Sequence, residues 1–344
     1  MGRNKDEDLQ HGDLLIREYE DGDEVKILEG FNRVFAAVNP SFVPRTMEEW
    51  MWRFRENPDG QSMRLAFTPE GNLAGSFAGM CQKMRLNGED ARFLQGVDNF
   101  TDPSFRKSLR RDSLLATLVN ANWKFIRGDA PPKYAVAWGL PVVAAWRVGG
   151  KMIGYKLVRT QLELFAQLGD VRQGPTEGIE VEEVTSFPEE TDALFERAAE
   201  PHAAIAVRDK EHCDWRFFRK PGHNYRVAVA RRGQELLGYT VFAKGAFDGR
   251  EDQGLIVDWL VPPTALGASN ALRAWLCDVA SETGAERLVA FFPETMPEFM
   301  AFQLAGFRAG PTSYFPICKH HSRNHDPLWL YKNWFYTFAD TDLV

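Results

Sequence analysis

Length, composition and charge limit what this chain can be. Its 344 residues are enough for two ordinary domains, and 44% of them are hydrophobic against 26% charged, which is typical of globular proteins with well-formed cores. The formal net charge of −7 argues against a general nucleic-acid binder, because such proteins need a basic surface to neutralise phosphates.

The cysteines and the apolar stretches indicate a reducing, aqueous setting. The four cysteines lie far apart and form no Cys-x-x-Cys pair, so a disulfide framework is not expected. The first residues, MGRNKDEDLQHGD, lack the apolar stretch of a signal peptide. The longest apolar stretch, residues 134–146, is interrupted by Gly139 and Pro141 and is too short to span a bilayer. We therefore expect a cytoplasmic protein.

The first half of the chain mixes strands and helices in a definite order. LLIREYE (14–20) reads as a strand, and DEVKILEGFNRVFAAV (23–38) and TMEEWMWRFREN (46–57) have helical apolar spacing. SMRLAFTPEGNLAGSFAGM (62–80) reads as a hairpin around a Pro-Glu-Gly turn. A strand at GVDNF (96–100) then precedes a long helix predicted over about 107–126, and a strand, a short helix and a last strand complete this half.

The second half repeats this order and its landmark residues. WRFRENP (52–58) and WRFFRKP (215–221) share four residues at a constant spacing of 163, and a strand glycine follows each tryptophan by 23 residues, as Gly75 and Gly238. GVDNF returns as IVDWL (256–260), and a Gly-aromatic pair closes each half. The alternative is that two amphipathic helices end alike by coincidence. The repeated spacing favours a tandem duplication.

The polar, Gly- and Pro-containing segment 169–178 is typical of a linker. We therefore expect an N-terminal domain over 13–170, a C-terminal domain over 178–320 and an aromatic tail over 321–344 that packs on the domains. A partner-binding tail is the alternative. The mixed order of elements predicts the α/β (α+β) class, in which each copy has a mostly antiparallel sheet flanked by helices.

The order of elements, the junction of strand and helix and the closing Gly-aromatic pair together resemble the GNAT acyltransferase superfamily (GCN5-related N-acetyltransferase-like) over residues 13–168 and 179–318. GVDNFTDPSFRKSLRRDSLLATLV (96–119) is similar to the family segment in which a strand leads into the cofactor-binding helix. The resemblance implies two tandem GNAT-like acyl-CoA N-acyltransferase domains, with acetyl-CoA or another acyl-CoA as cosubstrate and no metal.

The resemblance also implies where the cosubstrate lies in the first copy. In the family, the CoA pyrophosphate meets backbone N–H groups at a helix N-terminus, and the thioester lies against the preceding strand. The implied cofactor-binding residues are Val97, Asn99, Phe100, Arg106, Lys107, Leu109, Arg110 and Arg111. Leu109 and Arg111 stand where the family has glycines, and the second copy has no leading Arg or Gln at PPTALGASN (262–270), so neither copy keeps the standard pyrophosphate loop. The basic residues from Arg106 to Arg111 either attract phosphates or form a solvated surface.

Asp98 and Asp258, on the two equivalent strands, are the candidates for a catalytic base that acts directly or through water. Each could equally cap the following turn. The resemblance implies a tyrosine as general acid four residues before the last glycine, but Gly150 and Phe302 stand there. Arg53 and Arg216, inside the repeated motif, could contact an acidic substrate or form a salt bridge on the helix surface.

Cys318, His320, His321 and His325 include possible zinc ligands, but no second Cys/His cluster lies in the sequence and we expect no metal site.

We expect an enzyme that transfers an acetyl group from acetyl-CoA to a primary amine of a small molecule, amino sugar or peptide, with at most one active copy and with no nucleic-acid or membrane partner. A non-catalytic duplicated fold that binds a ligand or partner is the alternative, since the glycines and the general acid are missing. A third possibility is a relative of the tandem-fold aminoacyl or peptidyl transferases, whose charged-tRNA substrates suit an acidic chain poorly.

Overall fold

The chain forms two compact units that interleave along the sequence. The computed structural model describes residues 8–39, 42–106, 113–127, 133–320 and 323–344. The first unit comprises Met1–Gln82, Arg92–Leu157 and Pro316–His325, and the second comprises Lys83–Ala91, Val158–Phe315 and Asp326–Val344. Contiguous domains are predicted from the sequence at 13–170 and 178–320, whereas each compact unit takes residues from both sides of that division.

The secondary structure matches the predicted order of strands and helices. The strands are β1 (Leu9–His11), β2 (Leu14–Glu18), β3 (Gln61–Phe67), β4 (Leu73–Leu86), β5 (Glu89–Thr101), β6 (Val136–Gly139), β7 (Lys156–Leu157), β8 (Leu162–Gln167), β9 (Glu180–Val184), β10 (Ala204–Ala206), β11 (Arg226–Arg232), β12 (Glu235–Phe247), β13 (Arg250–Leu260), β14 (Arg287–Ala290), β15 (Arg308–Pro311), β16 (Ile317–His320) and β17 (Trp334–Phe335). The helices are α1 (Glu24–Ala36), α2 (Met47–Trp50), α3 (Leu114–Arg127), α4 (Val143–Val148), α5 (Thr191–Ala199), α6 (Lys210–Phe217), α7 (Leu266–Glu282), α8 (Pro297–Leu304) and α9 (Pro327–Asn333). A π-helical turn, Met51–Arg55, continues α2.

The sheet of the first unit has the strand order β1-β2-β3-β4-β5-β6-β16-β7. The pairs from β1 to β4 are antiparallel, β5 and β6 are parallel, and β16 runs antiparallel to β6 and to β7. The parallel pairing joins Phe93–Gln95 of β5 to Val136–Trp138 of β6. Because β6 ends at Gly139 while β5 runs on to Thr101, the last residues of β5 extend past the end of their neighbour.

The sheet of the second unit has the strand order β15-β8-β14-β13-β12-β11-β9. Its one parallel pair in the described residues joins Gly254–Ile256 of β13 to Leu288–Ala290 of β14, and the other pairs are antiparallel. β10 pairs with β17 and with the end of β4 at Met84–Leu86. Both units therefore have a mostly antiparallel sheet with helices around it, which confirms the predicted fold class.

The helices around the first sheet follow from the sequence pattern. α1 buries Ile27, Gly30, Phe31 and Val34, which recur at the helical spacing of three and four residues and so form one apolar stripe. α2 begins at a capping box, in which the side chain of Thr46 accepts from the backbone N–H of Glu49. α3 overlaps the helix predicted over about 107–126 and ends one residue beyond it, at Arg127, and residues 107–112 of that prediction are outside the described residues. Among the described residues, no helix is both long and apolar enough to cross a membrane.

The repeated strand glycines mark the same close approach in each unit. A Cβ atom on Gly75 of β4 would lie 3.1 Å from the carbonyl oxygen of Phe100 on β5. A Cβ atom on Gly238 of β12 would lie 3.0 Å from the carbonyl oxygen of Leu260 on β13. Few Cβ atoms approach backbone this closely, so glycine relieves crowding between the paired strands at both positions. The equal spacing from the repeated tryptophans therefore has a structural cause.

Candidate functional site

A cavity of about 530 Å³ lies at the end of β5 in the first unit. Its size is within the range of small-molecule sites in proteins. Its walls come from the end of α1, the last residues of β5, the turn after β5 and the start of α3, and are mainly apolar. The lining residues are Val34, Phe35, Val38, Asn99, Phe100, Thr101, Phe105, Arg106, Ser113, Leu114, Leu115 and Met152.

The structure places some of the predicted cofactor-binding residues on this cavity. Asn99, Phe100 and Arg106 line it, whereas the side chain of Val97 is buried in the core, with 2% of the residue exposed. The remaining four, Lys107, Leu109, Arg110 and Arg111, lie outside the described residues. The apolar residues of α1 and α3 that complete the wall were not singled out from the sequence. Their signal was the apolar stripe of α1, which continues past its buried positions to Phe35 and Val38.

The polar groups on the cavity wall are held by the surrounding backbone. The amide oxygen of Asn99 accepts a hydrogen bond from the backbone N–H of Ala78 at 2.9 Å. The guanidinium of Arg106 donates from Nε and Nη2 to the carbonyl oxygen of Thr101, at 3.0 and 2.8 Å. Arg106 is therefore folded back over the end of β5, where its positive charge lies at the rim of an apolar cavity.

Asp98, the first candidate base, is engaged by two arginines. Arg45, in the segment before α2, donates to its carboxylate from Nη1, and Nε of Arg53 lies 3.9 Å from Oδ2. The side chain of Asp98 is 10% exposed, and its backbone has a positive φ of 52°. Aspartate tolerates this left-handed conformation better than most residues do, which explains its place at an irregular point of β5. Because Oδ2 faces both guanidiniums, the carboxylate is positioned to hold the two arginines together.

Asp258, the second candidate base, lies in the interior of the second unit with 1% of the residue exposed. It accepts hydrogen bonds from Arg208, from the hydroxyl of Tyr239 at 2.7 Å and from the hydroxyl of Thr337 at 2.8 Å. Burial alone would raise the pKa of Asp258, but the charge of Arg208 and these hydrogen bonds outweigh it, so the pKa lies below its usual value. This geometry favours a structural role.

The equivalent junction in the second unit encloses far less space. A pocket of about 100 Å³ lies between the end of β13, the start of α7 and α8. The rings of Trp259 and Phe302 fill this region edge to face, with their centroids 5.0 Å apart. A CoA thioester needs more room, so the first unit is the better candidate for a cosubstrate site.

Each unit contains an arginine, not predicted from the sequence, that forms an ion pair with the aspartate of the equivalent strand. Arg45 pairs with Asp98 in the first unit, and Arg208 pairs with Asp258 at 3.1 Å in the second. Arg45 and Arg208 are 163 residues apart, the spacing of the repeated Trp-Arg-Phe motif. That common spacing is the sequence signal for this pair of arginines.

The possible zinc ligands near residue 320 are distributed over separate positions. Cys318 is buried in β16, and His321 lies outside the described residues. Within the described ranges, no three His, Cys, Asp or Glu side chains converge in a way that could hold a metal ion.

Comparison with solved structures identifies the fold of the chain. No family model and no curated protein matches the sequence. A GCN5-related N-acetyltransferase from Anabaena variabilis superposes with a TM-score of 0.65 at 11% identity, covering 89% of this chain and 72% of that one. A tandem GNAT protein from the clavulanic acid biosynthesis pathway superposes with a TM-score of 0.53 at 15% identity, covering 89% of this chain and 98% of that one.

A third solved structure of similar fold contains a bound acyl-CoA. The N-myristoyltransferase of Saccharomyces cerevisiae, solved with bound myristoyl-CoA, superposes with a TM-score of 0.56 at 11% identity, covering 90% of this chain and 79% of that one. At such low identities the likeness concerns the fold alone. Together with the internal repeat and the two equivalent sheets, it shows that this chain has the GNAT acyltransferase fold twice in tandem.

Proposed function

We propose that the first unit is an N-acyltransferase, which binds an acyl-CoA in the cavity at the end of β5 and transfers the acyl group to a primary amine in the cytoplasm. The observation that carries this proposal is the cavity itself, with its apolar walls and about 530 Å³ of space. Apolar walls suit an acyl chain and the pantetheine arm, and Arg106 at the rim supplies a positive charge for phosphate. The yeast N-myristoyltransferase of the same fold was solved with an acyl-CoA bound, which supports the choice of ligand.

The proposed reaction moves the acyl group from the sulfur of CoA to the nitrogen of the amine. The amine nitrogen attacks the thioester carbonyl carbon, a C–N bond forms, the C–S bond breaks, and the CoA thiolate takes up a proton while the nitrogen loses one. None of the described residues that line the cavity is an Asp, Glu, His, Cys, Tyr or Lys. The described lining residues are therefore suited to binding and orienting the reactants and to excluding water, and such positioning accounts for a large share of many rate enhancements.

A second candidate function rests on the same observation. A cavity without an ionisable acid or base also suits a domain that binds an acyl-CoA or a similar amphipathic ligand without turning it over. Release of free CoA thiol in the presence of amines distinguishes the two, because a binding domain produces none.

Thermal unfolding in the presence of acetyl-CoA tests the cavity directly. A ligand that binds only the folded state stabilises it by mass action, by about 2.7 kcal/mol at a hundredfold excess over the Kd. We expect a rise in the unfolding temperature that is lost in Val38→Trp, because Val38 lines the cavity and is 63% exposed, so that the larger side chain blocks the entrance without disturbing the core.

Val25→Trp is the matched control. Val25 lies on α1, is 50% exposed and is absent from the cavity wall, so this variant should respond to acetyl-CoA as the unaltered chain does. An unaltered chain whose unfolding temperature does not change at millimolar acetyl-CoA would contradict the proposal.

A further inference from the structure

In the second unit, two arginines of the repeat hold a segment of the chain itself. Arg208 donates from Nη2 to the carboxylate of Asp340 at 2.6 Å. Arg216 donates from Nε to the carbonyl oxygen of Ala339 at 3.0 Å and from Nη2 to the main-chain oxygen of Val344 at 2.9 Å. The two guanidiniums thus recognise an acidic peptide, residues 337–344, by one carboxylate and by its main-chain oxygens.

The first unit has the same two arginines at the same spacing. Arg45 and Arg53 precede Arg208 and Arg216 by 163 residues each. The helices between them correspond as well, since Thr46 and Asp209, also 163 residues apart, are the side-chain N-caps of α2 and α6. In each unit the first arginine pairs with the aspartate of the equivalent strand. The arginine pair is therefore the same structural element in both copies.

The two copies differ in what the second arginine meets. Nε of Arg216 has the carbonyl of Ala339, whereas Nε of Arg53 is buried and, among the described residues, has no hydrogen-bond acceptor. The side chain of Arg53 is only 9% exposed, and Asp98 approaches this nitrogen no closer than 3.9 Å. A buried guanidinium N–H without an acceptor is costly unless a ligand supplies one.

The first arginine of the pair also has fewer acidic partners in the first unit than in the second. Arg208 faces two carboxylates, Asp258 and Asp340, and its side chain is 2% exposed. Arg45 pairs with Asp98, and its side chain is 19% exposed. The other carboxylate that acts on Arg45 belongs to Glu49, which already accepts from the backbone N–H of Thr46 at 2.9 Å. Among the residues of the first unit that the structure describes, no second carboxylate pairs with Arg45 as Asp340 pairs with Arg208.

The arginine pair adjoins the cavity through a run of aromatic rings. The guanidinium of Arg45 lies 4.9 Å from the ring centroid of Phe31. That ring lies 4.4 Å from the ring of Phe35 and 6.3 Å from the ring of Phe100, both of which line the cavity. A molecule on the arginines would thus be next to the place proposed for the acyl group.

We propose that Arg45 and Arg53 bind an acidic peptide, with a carboxylate on Arg45 and a main-chain carbonyl on Nε of Arg53, as Arg208 and Arg216 bind residues 337–344. This inference rests on the proposed function for the peptide's role as the amine acceptor, whereas the binding itself does not require acyl-CoA. The second unit is occupied by its own tail, whose effective concentration as a tethered segment far exceeds that of an added peptide.

The test is calorimetric titration of the full-length protein with a synthetic peptide that has the sequence of residues 337–344. We expect saturable binding, weakened about ten- to a hundredfold when the peptide carries asparagine at the position of Asp340, which is the range for losing a hydrogen bond to a charged group. Arg53→Gln should weaken binding by a similar factor. Arg55→Gln, two residues away with a side chain 41% exposed and paired to Asp21, is the matched control and should bind within about twofold.

Arg45→Lys provides a second variant if Arg53→Gln does not fold, because the side chain of Arg45 is partly exposed and lysine keeps the charge while it loses the planar fork. Equal binding of the acidic and the amide peptide, binding unaffected in the variants, or no heat at about 1 mM peptide would each overturn the inference. Peptide binding without a thermal shift from acetyl-CoA would refute the proposed function and leave this inference standing. A thermal shift with acetyl-CoA but without peptide binding would refute this inference and leave the proposed function standing.

Discussion

At the scale of single residues, equivalent side chains have diverged in their surroundings. Asp98 and Asp258 occur on equivalent strands and each pairs with an arginine, yet the side chain of Asp258 is 1% exposed and that of Asp98 is 10% exposed. The difference comes from the tail, which supplies Thr337 and Asp340 to the second cluster. The sequence pattern correctly marked the two aspartates as equivalent. It could not show their burial, because the residues that cover Asp258 lie about 80 positions further along the chain.

The buried cluster around Asp258 makes a prediction about stability and pH. Asp258→Asn should destabilise the second unit by about 3–5 kcal/mol, because it leaves a buried guanidinium with one carboxylate instead of two. The pKa of Asp258 in the folded protein lies below its ordinary value of 3.8, so the stability contributed by the ionised carboxylate is fully present above that pH and is lost as the pH falls through the lower folded-state pKa. Urea unfolding measures the free energy of unfolding of the variant and of the unaltered chain. The difference between these two free energies should therefore become smaller only below about pH 4.

The control for this measurement is Asp252→Asn. Asp252 forms a surface pair with Lys244 at 3.1 Å and its side chain is 75% exposed, so its loss should cost no more than about 1 kcal/mol at any pH. If Asp258→Asn lowered the free energy of unfolding no more than the control does, an amide could replace the carboxylate of the buried ion pair.

At the scale of elements, the sequence predicted what local pattern can encode. The apolar stripe of α1, the turn between β3 and β4 and the strand glycines all depend on residues close together in the chain, and the structure has each of them. The cavity was less accessible to prediction, because its wall combines α1, β5 and α3, which meet only in the folded unit. Arg45 could not be predicted from its local sequence, because a single arginine before a helix has no local signature.

The close approach of paired strands at the repeated glycines makes a prediction of its own. Gly238→Ala should destabilise the protein by about 1–3 kcal/mol, because the added Cβ would lie 2.8 Å from Cγ2 of Val261 and 3.0 Å from the carbonyl oxygen of Leu260. Gly75→Ala should have a smaller effect, since its closest contact is 3.1 Å. Gly169→Ala is the control, with nothing within 4 Å of the added atom. The thermal unfolding temperature should be lowest for Gly238→Ala, higher for Gly75→Ala and highest for Gly169→Ala. Equal unfolding temperatures for the three variants would refute the steric argument.

At the scale of the whole molecule, the two copies exchange strands. β8, which ends the first repeat in the sequence, lies between β14 and β15 in the sheet of the second unit. β16, which ends the second repeat, lies between β6 and β7 in the sheet of the first unit. Sequence reasoning placed each strand with its own repeat, because LELFAQ and ICKH have the same strand character whichever sheet receives them. Strand partners are fixed by tertiary contacts, which local pattern does not record.

The exchange predicts how the molecule responds to a cut in its linker. Residues 175–178 are exposed, so a protease site placed there can be cleaved in the folded protein. The two fragments should stay together in size-exclusion chromatography and separate only in denaturant, because each sheet then keeps an internal strand from the other fragment. The same two fragments produced separately should be insoluble or unfolded, since removal of β8 leaves unpaired edges on both β14 and β15. Fragments that separate in native buffer, and remain folded alone, would show that each repeat completes its own sheet.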